Sequence, residues 1–321
     1  MPALDLPLIT YVALWYAGNY YYNIFNKKSA KAAHNTSFAF TLATLQMLVG
    51  AIYAAALWLA PEARKPPTAN AKQILKLAPL GLFAAAAHAG AVFSISAGAV
   101  SFAQIVKAAE PAFAASVGFA LYNETVSRAK LFMLIPIISG IWIASVNELD
   151  FTMGSLIAAG SANVAAAFRG QENRRVMSEP GLKEAIGGAG NTYAITTMWA
   201  LIFLIPTIFV AGEWQKLDSF IEIWKADGVD GTEKNLRYNT IMSGLTFYLY
   251  NEVSTIALKK ISGVTHSVAN TAKRAVIIVG CAIAFGESMA PVKMFGCAMA
   301  IGGTFLYAVA DSIFGTKAKK I

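Results

Sequence analysis

Apolar runs of about 20 residues alternate with short polar breaks ten times along the chain, near 6–26, 37–60, 74–97, 101–122, 128–146, 151–170, 188–212, 238–258, 264–286 and 291–313. A helix of that length rises about 30 Å, the thickness of a bilayer's hydrocarbon core. No run of alternating ten-residue segments suggests a barrel. In lipid, moreover, each backbone group must be bonded within its own segment. The pattern predicts an all-α integral membrane protein with ten transmembrane helices. Most breaks are so short that consecutive helices must run antiparallel, and an even number returns both termini to one side. The longest break, 212–237, interleaves Trp214, Phe220, Ile221 and Trp224 with charges, which predicts a short helix lying in the interface.

Composition agrees with the pattern. The chain is 56% hydrophobic, 14% charged and has a mean hydropathy of +0.52, whereas soluble domains carry about 25% charged residues. The net charge of +8 does not form a basic patch on a soluble fold, so no nucleic-acid partner is expected. Most cations instead flank the spans, fourteen on the side of the termini and eight on the other, a modest positive-inside bias. Cys281 and Cys297 both fall inside apolar runs, which argues against a disulfide framework or a thiolate metal site. No signal or transit peptide is visible, and the expectation is a mature or trimmed form. Neither a Walker loop, an HExxH motif nor a nucleophile–base pair appears, so no enzyme activity and no cofactor are expected.

An internal echo divides the chain. S-F-A-Q-I-V-K ends at Lys107 and S-V-A-N-T-A-K ends at Lys273, each with an amide three residues before the lysine. Asn26-Lys27-Lys28 and Asn173-Arg174-Arg175 repeat the relation at the ends of the first and sixth runs. Five helices followed by five inverted ones is a transporter pattern. It assigns 1–150 to a first repeat and 151–321 to a second, together one transport domain.

The candidate chemistry lies in polar residues inside the spans. Lys273 and Arg274 sit side by side near the middle of their run, where each cation costs roughly 2.5–3.5 kcal/mol at the bilayer centre. Asn270, Ser267 and His266 extend a polar stripe along the same face. Lys107 shares a face with Gln104 and Glu110, and either a structural Lys107–Glu110 pair or a shared central site would explain it. Arg169 lies near the end of its run, where snorkelling competes with a ligand role. His88 stands among alanines, and Tyr250 lies on a face with Ser243, Thr246 and Ser254. Lys107, Arg169, Lys273 and Arg274 outweigh Glu110 and Glu252 by two charges, which suits a dianion such as phosphate or a phosphate ester.

The motifs S-F-A-Q-I-V-K-A-A-E-P-A-F at 101–113, F-R-G-Q-E-N-R-R-V-M at 168–177, Y-L-Y-N-E-V-S at 248–254 and T-H-S-V-A-N-T-A-K-R at 265–274 resemble those of the plastid phosphate translocators, within the drug/metabolite transporter superfamily. The resemblance runs over nearly the whole length. It implies a ten-helix antiporter of the inner plastid envelope, exchanging inorganic phosphate for phosphorylated compounds. Triose phosphate and 3-phosphoglycerate lead. Hexose phosphate, pentose phosphate, phosphoenolpyruvate or a nucleotide sugar stand as alternatives. It further implies that Lys107, Lys273 and Arg274 hold the phosphate, that His88, Arg169 and Tyr250 contact the substrate body, and that a monomer suffices. Ala91 stands where triose-phosphate members tend to have serine or threonine and glucose-6-phosphate members a small apolar residue.

Overall fold

The computed structural model describes residues 6–146, 148, 150–226, 236–258 and 263–314. Nine of the ten predicted runs are each occupied by one helix, and the 101–122 run by two. These are α1 (Leu6–Ala32), α2 (Ala39–Leu59), α4 (Ala78–Ala97), α5 (Val100–Lys107) with α6 (Glu110–Tyr122), α7 (Arg128–Val146), α8 (Met153–Met177), α10 (Ala189–Val210), α12 (Leu236–Leu258), α13 (Gly263–Phe285) and α14 (Pro291–Phe314). Short helices α3 (Ala71–Leu75), α9 (Leu182–Ile186) and α11 (Leu217–Ala226) complete the set, and no strand occurs among the described residues. Among the described residues, seven spans are long and apolar enough to cross a membrane. The exceptions are α1, α8 and α12, whose tyrosines, amides and charges lower their hydropathy. Large apolar side chains face outward around the bundle, among them Trp142, Phe119 and Ile283.

Close backbone approach holds the bundle together, because burial among lipid tails gives apolar helices little reason to associate. A Cβ added to Gly140 of α7 would lie 2.5 Å from Ala300 N, and one on Gly296 of α14 would lie 2.6 Å from Ala144 N. The two helices therefore touch main chain to main chain. A Cβ added to Gly18 of α1 would likewise lie 2.8 Å from Tyr250 Cβ of α12. Polar side chains tie the interior. Gln46 donates to Asn26 Oδ1 and Gln104 to Asn23 Oδ1, both at 2.9 Å.

The two ends of the bundle differ. At the far end, where α1, α4, α7, α10 and α13 finish, the ties are buried or half-buried charges on helix termini. Glu213 accepts from Phe40 N and Thr41 N (3.0 and 2.7 Å) at the start of α2. Glu287 accepts from Val100 N and Ser101 N (2.7 and 3.0 Å) at the start of α5. Anions on freed N–H groups at a helix start complement the dipole. Lys27 does the converse, donating to Ile95 O and Gly98 O (2.8 and 2.6 Å) at the end of α4. Lys293, fully buried, reaches Glu148 at 2.7 Å and Ser101 Oγ at 3.1 Å. At the near end, where α1 starts and α14 finishes, Lys76–Glu179, Lys130–Asp311 and Arg174–Glu124 are exposed, and only Arg64–Glu252 is largely buried.

These ties correct part of the charge tally. Lys27 and Lys293 read as loop cations, but α1 runs on to Ala32 and Lys293 belongs to α14. Both cap or pair inside the protein rather than flank it. Lys234, Lys259, Lys260, Lys317, Lys319 and Lys320 from the same tally lie outside the described residues, as do residues 1–5. The predicted interfacial segment is α11, preceded by a 3₁₀ turn at Glu213–Lys216. Phe220 packs on Phe38 with ring centroids 5.1 Å apart, while Ile221 and Trp214 stay exposed. The 227–235 part of that segment lies outside the described residues.

Candidate functional site

The chain breaks between α5 and α6. Pro111, in the first turn of α6, has no N–H to give, and its ring disfavours a carbonyl four residues back, which belongs to Lys107. Ala108 and Ala109 form a turn there, so the run read as one helix is two. Neighbours take the loosened carbonyls. Asn163 Nδ2 of α8 donates to Val106 O at 2.9 Å, and Thr304 Oγ1 of α14 donates to Ala108 O at 3.0 Å. Lys107 and Glu110 thus sit on either side of a pinned break in the bundle's middle.

A cavity of about 100 Å³ opens beside it, lined by Lys107 and Glu110, by His88 of α4, Arg169 and Asn163 of α8, and Tyr250 of α12. Four of the six residues singled out in the sequence are therefore brought together. Arg274 lies across Glu110, donating from Nη2 to Glu110 Oε2 at 2.5 Å. The acid of α6 thus pairs with the arginine of α13 rather than with Lys107 on its own run. On the far side of that pair is a second cavity of about 420 Å³, lined by Lys130, Arg174, Ser267, Asn270 and Arg274. Lys130 and Arg174 belong to the near end, so this cavity leads from that end toward the Glu110–Arg274 pair.

Lys273 points elsewhere. Its Nζ lies 4.8 Å from the Trp15 ring centroid and 5.7 Å from that of Tyr250. The predicted polar stripe on α13 consequently divides: Ser267, Asn270 and Arg274 face the larger cavity, while Lys273 leans over Trp15 and over Tyr250, which lines the smaller one. His266 stacks on the other side of this aromatic group, 4.8 Å from Trp15 at an interplanar angle of 11°, with Ser254 Oγ 3.2 Å from Nε2. Among the described residues, Lys107, Arg169 and Lys273 form no ion pair. His88, buried against Phe247 at 4.2 Å between centroids, has neither ring nitrogen bonded. No group of metal-ligating side chains occurs among the described residues.

Several lining residues escaped the sequence reading. Tyr22, which lines the smaller cavity, and Trp15, which lies under Lys273, belong to a tyrosine-rich first span where aromatic residues are too common to stand out. Asn163 did carry a signal, as a lone amide in an alanine-rich stretch. Tyr193 and Thr196 of α10 also line the smaller cavity, and among Asn191, Thr192 and Thr197 no one polar residue stood out.

The fold and the central cations define a helical membrane protein with an electropositive chamber between its two ends. Its sequence is matched over residues 6–308 by the Triose-phosphate Transporter family. The chain belongs to that family. Among curated relatives it is 34% identical to the chloroplastic xylulose 5-phosphate/phosphate translocator of Arabidopsis thaliana, over 99% of this chain and 73% of that protein. It is 32% identical to glucose-6-phosphate/phosphate translocator 2 of the same plant, over 96% and 76%. It is 30% identical to the non-green plastid triose phosphate/phosphate translocator of Brassica oleracea var. botrytis, over 95% and 72%. The relatives are plastid phosphate translocators whose names differ in the organic phosphate.

Proposed function

We propose that this protein is a secondary antiporter that exchanges inorganic phosphate for a phosphorylated carbon compound by alternating access. Triose phosphate and 3-phosphoglycerate head the expected substrates, and hexose or pentose phosphates and phosphoenolpyruvate are alternatives. The observation that carries this reading is the set of unpaired cations in the membrane interior. Lys107 and Arg169 line the smaller cavity, and Lys273, which has no carboxylate partner, lies over the ring of Tyr250, which also lines it. A bound dianion would supply the missing counter-charge, and arginine and lysine together suit phosphate oxygens. Without it, repulsion and desolvation would oppose closure of the chamber, so only loaded carriers would switch sides. The family membership and the names of the relatives point the same way.

In this reading all ten long segments span the bilayer, α1, α8 and α12 included. Residues 1–150 and 151–321 are inverted repeats of one transport domain. The phosphate rests between Lys107, Lys273 and Arg274, and His88, Arg169 and Tyr250 hold the rest of the substrate. The site is complete within one chain, so a monomer suffices, and the inner plastid envelope is the membrane. In liposomes preloaded with phosphate, Lys107→Ala, Lys273→Ala and Arg274→Ala should each nearly abolish uptake of labelled phosphate. Uptake at the wild-type rate by any two of them would overturn the assignment.

A further inference from the structure

We infer that Asn163 and Thr196, with His88, form a subsite that favours a hydroxyl-bearing carbon chain over one that, like phosphoenolpyruvate, brings a carboxylate and no hydroxyl. The inference rests on the phosphate-exchange reading and concerns the part of the cavity beyond the phosphate. Asn163 is nearly fully buried, and the bond from its Nδ2 to Val106 O (2.9 Å) fixes which way the amide faces. Its Oδ1 is left buried with no partner. Thr196 Oγ1 and both ring nitrogens of His88 are in the same condition, and all three residues line the same cavity.

Buried polar atoms need partners, and the cavity is the space these residues share. The chemistry of the unmet groups restricts what can enter. Asn163 Oδ1 only accepts, so it calls for a donor. A neutral imidazole offers one donor and one acceptor, and a threonine hydroxyl both gives and takes. A sugar's hydroxyls each do both, and several along one chain can satisfy the whole set. A carboxylate brings acceptors alone. It could pair with Arg169, but it would face Asn163 Oδ1 with like polarity and leave that atom unbonded. Discrimination by unmet buried groups is stronger than discrimination by size.

Purified wild-type protein in phosphate-loaded liposomes tests this through the KM values for xylulose 5-phosphate, glucose 6-phosphate and phosphoenolpyruvate. The better sugar phosphate should have a KM at least about tenfold below that of phosphoenolpyruvate. Thr196→Val, which keeps the shape and removes the hydroxyl, should narrow that ratio about fivefold or more. Asn163→Leu should narrow it further. Phosphate-for-phosphate exchange is measured in parallel: if the wild type lacks it, the transport reading itself has failed. If it is present and phosphoenolpyruvate is exchanged as well as the sugar phosphates, the hydroxyl subsite is wrong. It is equally wrong if both variants change all three KM values in proportion.

Discussion

A lysine ammonium over an aromatic face is held without being neutralised, because the ring offers a quadrupole and no counter-charge. Lys273 over Trp15 and Tyr250 is therefore fixed in place yet still able to take an anion. Arg274, the next residue along α13 and so about 100° further round the helix, is instead committed to Glu110, which leaves its other guanidinium nitrogens for a ligand. Two outcomes follow at this scale. Trp15→Leu should raise the KM for phosphate several-fold, since such contacts contribute about 0.5–2 kcal/mol, and Trp15→Phe should recover part of the loss. An unchanged KM in Trp15→Leu would mean that Lys273 does not meet the anion. Arg274→Lys keeps the charge and discards the planar fork. It should leave thermal unfolding in detergent little altered while raising the KM for phosphate about tenfold. The cations themselves were legible in the sequence because a charge inside an apolar run has no ordinary explanation. Their partners were not. Glu110 lies three residues from Lys107 and 164 from Arg274, and only the tertiary arrangement decides between them.

Among the elements, α7 and α14 lie closest together, and small residues make that possible. Gly140 and Gly296 each meet the opposite backbone, so an added side chain has no flexible neighbour to displace. Gly140→Val should destabilise the fold by about 1–3 kcal/mol, read as a lower unfolding temperature in detergent, whereas the same change at Gly160, with nothing within 4 Å, should not. Equal effects at the two positions would remove the packing argument. Apolar length was enough to place the helices, since each predicted run is helical. It could not show the break at Ala108 and Ala109, because Pro111 reads the same whether a helix bends or restarts. Nor could it place Lys27 and Lys293. A lysine at the edge of an apolar run has one appearance in sequence and two in space: it can reach out to the interface, or turn inward onto carbonyl oxygens and an acid, as both do here.

At the scale of the whole molecule, the asymmetry between the ends bears on how an exchanger would cycle. At the far end a buried carboxylate, Glu213, caps the N–H groups of α2 and a half-buried one, Glu287, those of α5, while exposed pairs and the larger cavity mark the near end. Alternating access requires the far-end ties to break and the larger cavity to close once per cycle. Glu287 is the simplest of those ties to weaken. Glu287→Gln keeps a hydrogen-bond acceptor but removes the charge at the start of α5, an interaction of about 0.3–1 kcal/mol at a helix terminus and up to about 2 kcal/mol when partly buried. A difference of 1 kcal/mol shifts a two-state population about fivefold. The shift is measurable through Ser267, which lines the near-end cavity. The native Cys281 and Cys297 are buried, so Ser267→Cys provides the reactive thiol for a membrane-impermeant reagent. Labelling of Ser267→Cys should proceed from one side of the membrane. Adding Glu287→Gln should slow it several-fold, because the near end is then open for less of the time. Labelling that ignores the second substitution would show that the Glu287 caps do not govern which end is open. The two ends would then be coupled through other contacts, with Lys293–Glu148 the next pair to weaken.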